Sequence, residues 1–310
     1  MLSFVNKKRS SLALATALAT SLISTTPQAA SPSDAFQRAE HLGQMIERLL
    51  HSDLHETSLS KDPAVSPSRP RHVLRLASYA YENVQFLKSL NGLNENKIIA
   101  TEAKEVKPDD VVAILDAAIA SMKALAPIYK VDLNFQAPTI TAKKTPGEVM
   151  ARLRAVNKDL IKLGAPKTLP NDVYRVSLGI NEQVKAMTKS QGIIVTDKTA
   201  NVKKATPADA LAEVIDLIND LDKLSKSNAK YALPNGVATP PRPQLGEPVT
   251  PSNVLLATQF ALADVYSLQV ATGYKKDLVL PPAQAGRNPA DVKNILLEAR
   301  HHIKALSQTK

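Results

Sequence analysis

The chain of 310 residues has no cysteine and no tryptophan. The first absence excludes disulfides, thiolate metal ligands, cysteine nucleophiles and lipid attachment through cysteine. The second, with aromatics at only 4% of the chain, leaves little material for stacking a sugar or a base. Reaction motifs are missing as well: no G-x-S-x-G, no H-E-x-x-H, no Walker loop and no G-x-G-x-x-G. A catalytic carboxylate pair drawn from distant segments leaves no local motif, so this absence weighs against an enzyme without excluding one. The reading is of a non-enzymatic protein with no cofactor.

The N-terminus is organised as an export signal. Lys7, Lys8 and Arg9 precede an apolar run over residues 12–23, and Ala29-Ala30 offers a small-residue cleavage site. The run is short for a membrane span, and no later segment reads as apolar for long enough. Residues 1–30 are therefore expected to be a signal peptide and the mature chain to be periplasmic or secreted. Removing three basic residues from the 39 leaves 36 against 29 acidic ones, a net charge of +7. That mild excess suits another envelope protein or an anionic envelope surface. It does not suit nucleic acid, because the basic residues form no long run.

One phrase is written eight times. Pro32, Pro70, Pro108, Pro146, Pro170, Pro207, Pro251 and Pro289 each stand three residues before a small apolar residue. From that residue, offsets of 4, 7, 11 and 14 carry the pattern on, as in Val149, Leu153, Val156, Leu160 and Leu163. Only Ser177 and Thr258 break it. Spacing of 4-3-4-3 is the seam of packed helices, and a fixed period is the mark of a repeated unit. Proline suits the first helical position, whose N–H has no intrahelical partner. Thr145 with Glu148 and Thr206 with Asp209 form capping boxes. Gly92, Gly192 and Gly273, each followed by an apolar residue, predict left-handed helix ends. The phrase thus reads as construction rather than chemistry.

The fold expected is all-α: eight amphipathic helices in repeated αα-hairpins, arranged as two tandem four-helix bundles over 31–165 and 166–310. "GAPKTLP" (164–170) would join them. The proline-rich stretch 233–251 is the rival boundary, or else a long loop lying over a bundle.

Candidate sites are few. Glu47, His51 and His55 are spaced four apart and would share a helix face able to hold zinc or copper, although solvated residues at a helix end explain them more simply. His41, His72, His301 and His302 read as structural or solvated. The loops 93–107, 193–205 and 274–287 agree in length and exceed what a helical hairpin needs. Their apolar starts, "KIIA" (97–100), "IIV" (193–195) and "LVLP" (278–281), suggest covers for the end of the core. Their Lys104, Lys198, Lys203 and Arg287 are the candidate basic binding surface. The function expected is a protein-binding scaffold or adaptor in the cell envelope. The alternative is a ligand-sensing or carrier bundle, because small and polar seam residues leave room between helices.

Overall fold

The structure, a computed structural model, describes residues 29–52, 58–196 and 201–308. The protein is all-helical. Its long helices are α1 (Pro32–Ser52), α2 (Pro70–Leu90), α3 (Pro108–Lys123), α5 (Pro146–Lys162), α6 (Pro170–Ser190), α7 (Pro207–Ser227), α8 (Pro251–Ala271) and α9 (Pro289–Gln308). Each begins at one of the eight repeated prolines. A four-residue helix, α4 (Ala126–Tyr129), and a 3-10 turn at Ala229–Tyr231 were not expected. Among the described residues there is no strand, only one antiparallel bridge between Thr101 and Leu278.

Proline starts these helices in two ways. It occupies the position that needs no N–H donor, and it forces the residue before it into the extended region that a cap requires. Arg69, Lys107 and Leu169 are poor capping residues, yet each sits extended at φ near −121°, −114° and −109°. In those copies the cap runs backwards, from the third helical residue. Asp110, Asp172 and His72 each accept the cap residue's own N–H, at 2.7, 2.7 and 3.0 Å. Thr145 and Thr206 form both halves of their boxes with Glu148 and Asp209. At the other end, Gly92, Gly192 and Gly273 have φ of 73°, 68° and 92°. The next residue's N–H closes onto the carbonyl five back, as Ile193 does onto Thr188 at 3.0 Å.

All forty seam positions are buried, none more than 6% exposed. Ser177 and Thr258, the two exceptions to the pattern, donate to Val173 O and Leu255 O in their own helices. They therefore need nothing from a neighbour. The buried apolar side chains form two clusters, one drawn mainly from α1, α2, α3 and α5 and the other from α6 to α9. The clusters interlock at α8, whose Phe260 and Leu256 pack with the first although most of the helix belongs to the second.

The expected helical hairpins are not what the chain forms. In α6 to α9, the starting residues Pro170, Pro207, Pro251 and Pro289, with Val173, Ala210, Val254 and Val292, line one small cavity. All four helices therefore begin at the same end. In the first set, equal depths also face each other: Arg38 meets Asp116, Arg152 meets Glu40 and Asn83 meets Asn157. Within each set, consecutive helices run in the same direction, and each connection inside a set must travel back along the bundle. A 21-residue helix is about 30 Å long, and roughly 16 residues of extended chain reach about 50 Å. The loop lengths are thus explained by topology. A binding role is not needed to account for them.

Two further expectations change. Helix α8 is long and apolar enough to span a membrane, with a mean hydropathy of 1.4, but 78% of that window is buried against the other helices. It is apolar on nearly every side because it packs into both clusters. Of the apolar loop starts, Leu278 is buried, whereas Ile98, Ile99, Ile194 and Val279 are exposed. Only part of each loop covers core.

Candidate functional site

The candidate basic residues are scattered. Lys104 precedes α3 and is held between Glu102 and Asp110 at 2.7 and 2.9 Å. Hydrogen bonds to the Glu102 and Asp110 carboxylates hold its pKa above the ordinary lysine range. Arg287 precedes α9, stacks over Tyr174 at 4.5 Å and donates to Gln284. Lys203 is exposed before α7, and Lys198 lies outside the described residues. The starts of α7 and α9 share one end of the second set. Lys104 stands instead beside Ser267, Val270 and Ala271 at the far end of α8. Lys104 is thus separated from Lys203 and Arg287 by the length of that set. Of the metal candidates, Glu47 is half-buried and His51 exposed on α1, while His55 lies outside the described residues. Among the described residues, no group of three or more His, Asp or Glu side chains could hold a metal.

The structure draws polar chemistry to a different place, the seam where α2 crosses α8. The two helices run antiparallel there. The first turn of α2 meets the last third of α8, and the first turn of α8 meets the middle of α2. At one end Asp264, fully buried, receives Arg71 Nε at 2.6 Å and His72 Nε2 at 2.9 Å on the same oxygen, Oδ1. Its Oδ2 is buried without a partner among the described residues. Arg71 also donates to Pro234 O and Gly236 O, and Arg69 to Asn235 O. The proline-rich stretch is thereby drawn over the seam and acts as the long overlying loop rather than a linker.

His72 has a defined tautomer. Its Nδ1 accepts the Arg69 N–H, so the proton sits on Nε2 and is donated to Asp264. The ring stacks on Phe260 at 4.5 Å and 7°. Burial pushes the His72 pKa down against the pull of Asp264, so the ring is neutral. Burial also lowers the pKa of His41, with Lys123 adding to the effect. The consequence for stability has a definite sign. The unfolded chain takes up protons on histidine as pH falls through 6.5, while the folded chain does so only lower. Stability is therefore expected to decline once pH drops below 6.5. Urea midpoints measured from about pH 7.5 to about pH 5 should show this slope. His72→Gln, which retains an acceptor for the Arg69 N–H, should flatten it; an unchanged slope would assign the effect elsewhere.

One turn further along, Arg75 is 6% exposed and has no carboxylate partner among the described residues. Its Nε donates to Gln259 Oε1 at 3.0 Å and its Nη1 to Thr101 Oγ1 at 3.4 Å. Burial lowers its pKa, partly offset by Glu82. Guanidinium keeps its proton in proteins, so the seam contains a buried positive charge without a direct counter-charge. Thr101 belongs to the bridge with Leu278, which ties the loop after α2 to the loop after α8. Tyr266 reinforces the tie by donating to Thr101 O and Lys276 O.

Beyond Gln259 the seam opens into a cavity of about 120 Å³ between α2, α5 and the start of α8. Arg154 and Lys158 of α5 line it. Neither has a hydrogen-bond or ion-pair partner among the described residues. Burial alone lowers the Arg154 pKa. Sequence reasoning missed this site because its members come from segments up to about 190 residues apart, as with Arg71 and Asp264. Two signals were nevertheless present. His72 stands where the other copies have Asp, Glu or Asn, and Asp264 is the one charged residue of the Pro251–Ala271 helix.

No protein-family model, curated protein or solved structure matches the chain.

Proposed function

We propose that the protein is an exported, non-enzymatic ligand-binding bundle whose working part is the seam between its two sets of helices. The observation that carries this reading is the cluster of under-compensated cations there: Arg75 buried without a carboxylate, and Arg154 half-buried at an open cavity without an ion-pair partner among the described residues. Buried charge is costly unless paired, and a cavity lined by unpaired cations is where a ligand supplies the missing partner. The carrier or sensor reading therefore stands ahead of the scaffold reading that the repeats first suggested. Export rests on the layout of residues 1–30, and with it a periplasmic or extracellular site of action.

Scaffolding for another envelope protein is the second reading. Phe86 and Leu90 favour it, because they lie one turn apart near the end of α2 and are 41% and 60% exposed. Two measurements separate the readings. A thermal-shift screen of the mature chain against a small-metabolite panel should yield a stabilising ligand whose effect disappears in Arg154→Gln. Affinity capture from envelope extract, with and without Phe86→Ser and Leu90→Ser, examines the scaffold. A partner lost with the two apolar residues, alongside no stabilising small molecule, would reverse the order.

A further inference from the structure

Gln259 fixes the character of the cavity. It is 4% exposed, and its Oε1 is committed to the Arg75 guanidinium, which can only donate. Its Nε2 must therefore point away from Arg75, and that amide has no partner among the described residues although the side chain lines the cavity. Asn253 repeats the arrangement. Its Oδ1 accepts the Thr250 N–H and hydroxyl at 2.8 and 2.7 Å, and its own NH₂ at the cavity wall has no partner among the described residues. Ser252 and Asn253 also place the first turn of α8 there, the positive end of a helix dipole. Arg154 and Lys158 bring two cations to that same end, the unfavourable sign unless an anion intervenes. The Tyr79 hydroxyl completes the wall, shared with Thr168 at 3.4 Å.

No carboxylate among the described residues lines this space, while Arg154, Lys158 and the Gln259 and Asn253 amides all offer donors to it. The carboxylates near Tyr79 are Asp172 and Glu82. Asp172 is occupied by the Leu169 N–H and Glu82 by Arg175 at 3.1 Å. An arginine that merely laid its stem on the surface would keep its head in water. Arg154 is only half-exposed and lines the cavity wall, where burial lowers its pKa.

We infer that this cavity binds a phosphate-type oxyanion, either free phosphate or the phosphate group of a small monoester, held by Arg154, Lys158, the Gln259 and Asn253 amides and the start of α8. The inference rests on the ligand-binding reading above and gives it a chemical class. Arginine suits it through its planar fork, and several converging N–H donors favour a multivalent oxyanion over chloride.

Titration calorimetry on the mature chain at constant ionic strength, with inorganic phosphate, glycerol 3-phosphate and chloride as separate probes, tests it. Saturable binding of either phosphate probe, absent for chloride, is the expected result. Preference between the two distinguishes free phosphate from a monoester. Arg154 is half-exposed, so Arg154→Gln should fold; it is expected to weaken binding by about tenfold or more. Gln259→Glu supplies the missing anion internally beside Arg75. It should raise the melting temperature of the free protein and abolish phosphate binding together. Absence of binding by both phosphate probes, or binding unchanged in both variants, overturns the inference. If that happens while another metabolite binds in an Arg154-dependent way, the ligand-binding reading survives and only the oxyanion assignment fails.

Discussion

Asp264→Ala is expected to destabilise the protein by about 3–5 kcal/mol, because it leaves the Arg71 charge buried without its counter-ion. The Arg71 and Asp264 side chains are 9% and 0% exposed, so water screens the pair little. The loss is compound. Arg71 Nε and His72 Nε2 both spend their hydrogen bonds on Asp264 Oδ1. Removing that oxygen strands a charged donor and a neutral one together. Asp264→Asn keeps an acceptor and removes only the charge, so it should fall between wild type and alanine. Arg71→Met combined with Asp264→Ala should recover part of the loss, since deleting both charges removes the uncompensated one. Urea unfolding of the three variants measures the order. If Asp264→Ala costs less than about 1 kcal/mol, the Pro234 and Gly236 carbonyls alone are neutralising Arg71, and the pair is not what joins α2 to α8.

The helices were legible in the sequence because their determinants are local. A proline at the first helical position, an acceptor two residues later and five seam positions lie within one stretch of chain, and all eight copies fold as that stretch indicates. Helix direction was not legible. A 4-3-4-3 seam buries equally well against a parallel or an antiparallel neighbour, and loops near 16 residues are compatible with either. What decides direction is the meeting of the four starting prolines in the second set and the pairing of equal depths in the first. The polar seam was hidden for a different reason. Arg75 and Gln259 acquire meaning only through each other, across 184 residues of chain. The loop lysines, by contrast, looked functional because loops longer than a hairpin requires invited an explanation. The return path along the bundle provides it. Once Lys104 is placed at the opposite end of α8 from the starts of α7 and α9, it loses its claim to a common face with Lys203 and Arg287.

Leu160→Asp and Leu221→Asp probe how far the two sets of helices depend on each other. Both residues occupy the same seam position in their copies, and they are 0% and 1% exposed. Aspartate at either site must enter the core charged, become protonated at a cost, or drive the helix out. It also leaves a void where leucine packed. Each substitution is expected to cost several kcal/mol, a large share of the roughly 5–15 kcal/mol that holds a domain together. The spatial pattern of the loss is more telling than its size. Leu160 belongs to the first cluster and Leu221 to the second. Amide hydrogen exchange should therefore quicken chiefly in α1, α2, α3 and α5 for Leu160→Asp, and in α6, α7 and α9 for Leu221→Asp. Helix α8 should quicken in both. It packs Phe260 and Leu256 into the first cluster and Leu262, Val265 and Leu268 into the second, with Asp264 anchoring α2 between them. A uniform rise across the chain would instead mean that the clusters unfold as one unit. A rise that spared α8 in Leu160→Asp would mean that the seam contributes little to holding that helix in place.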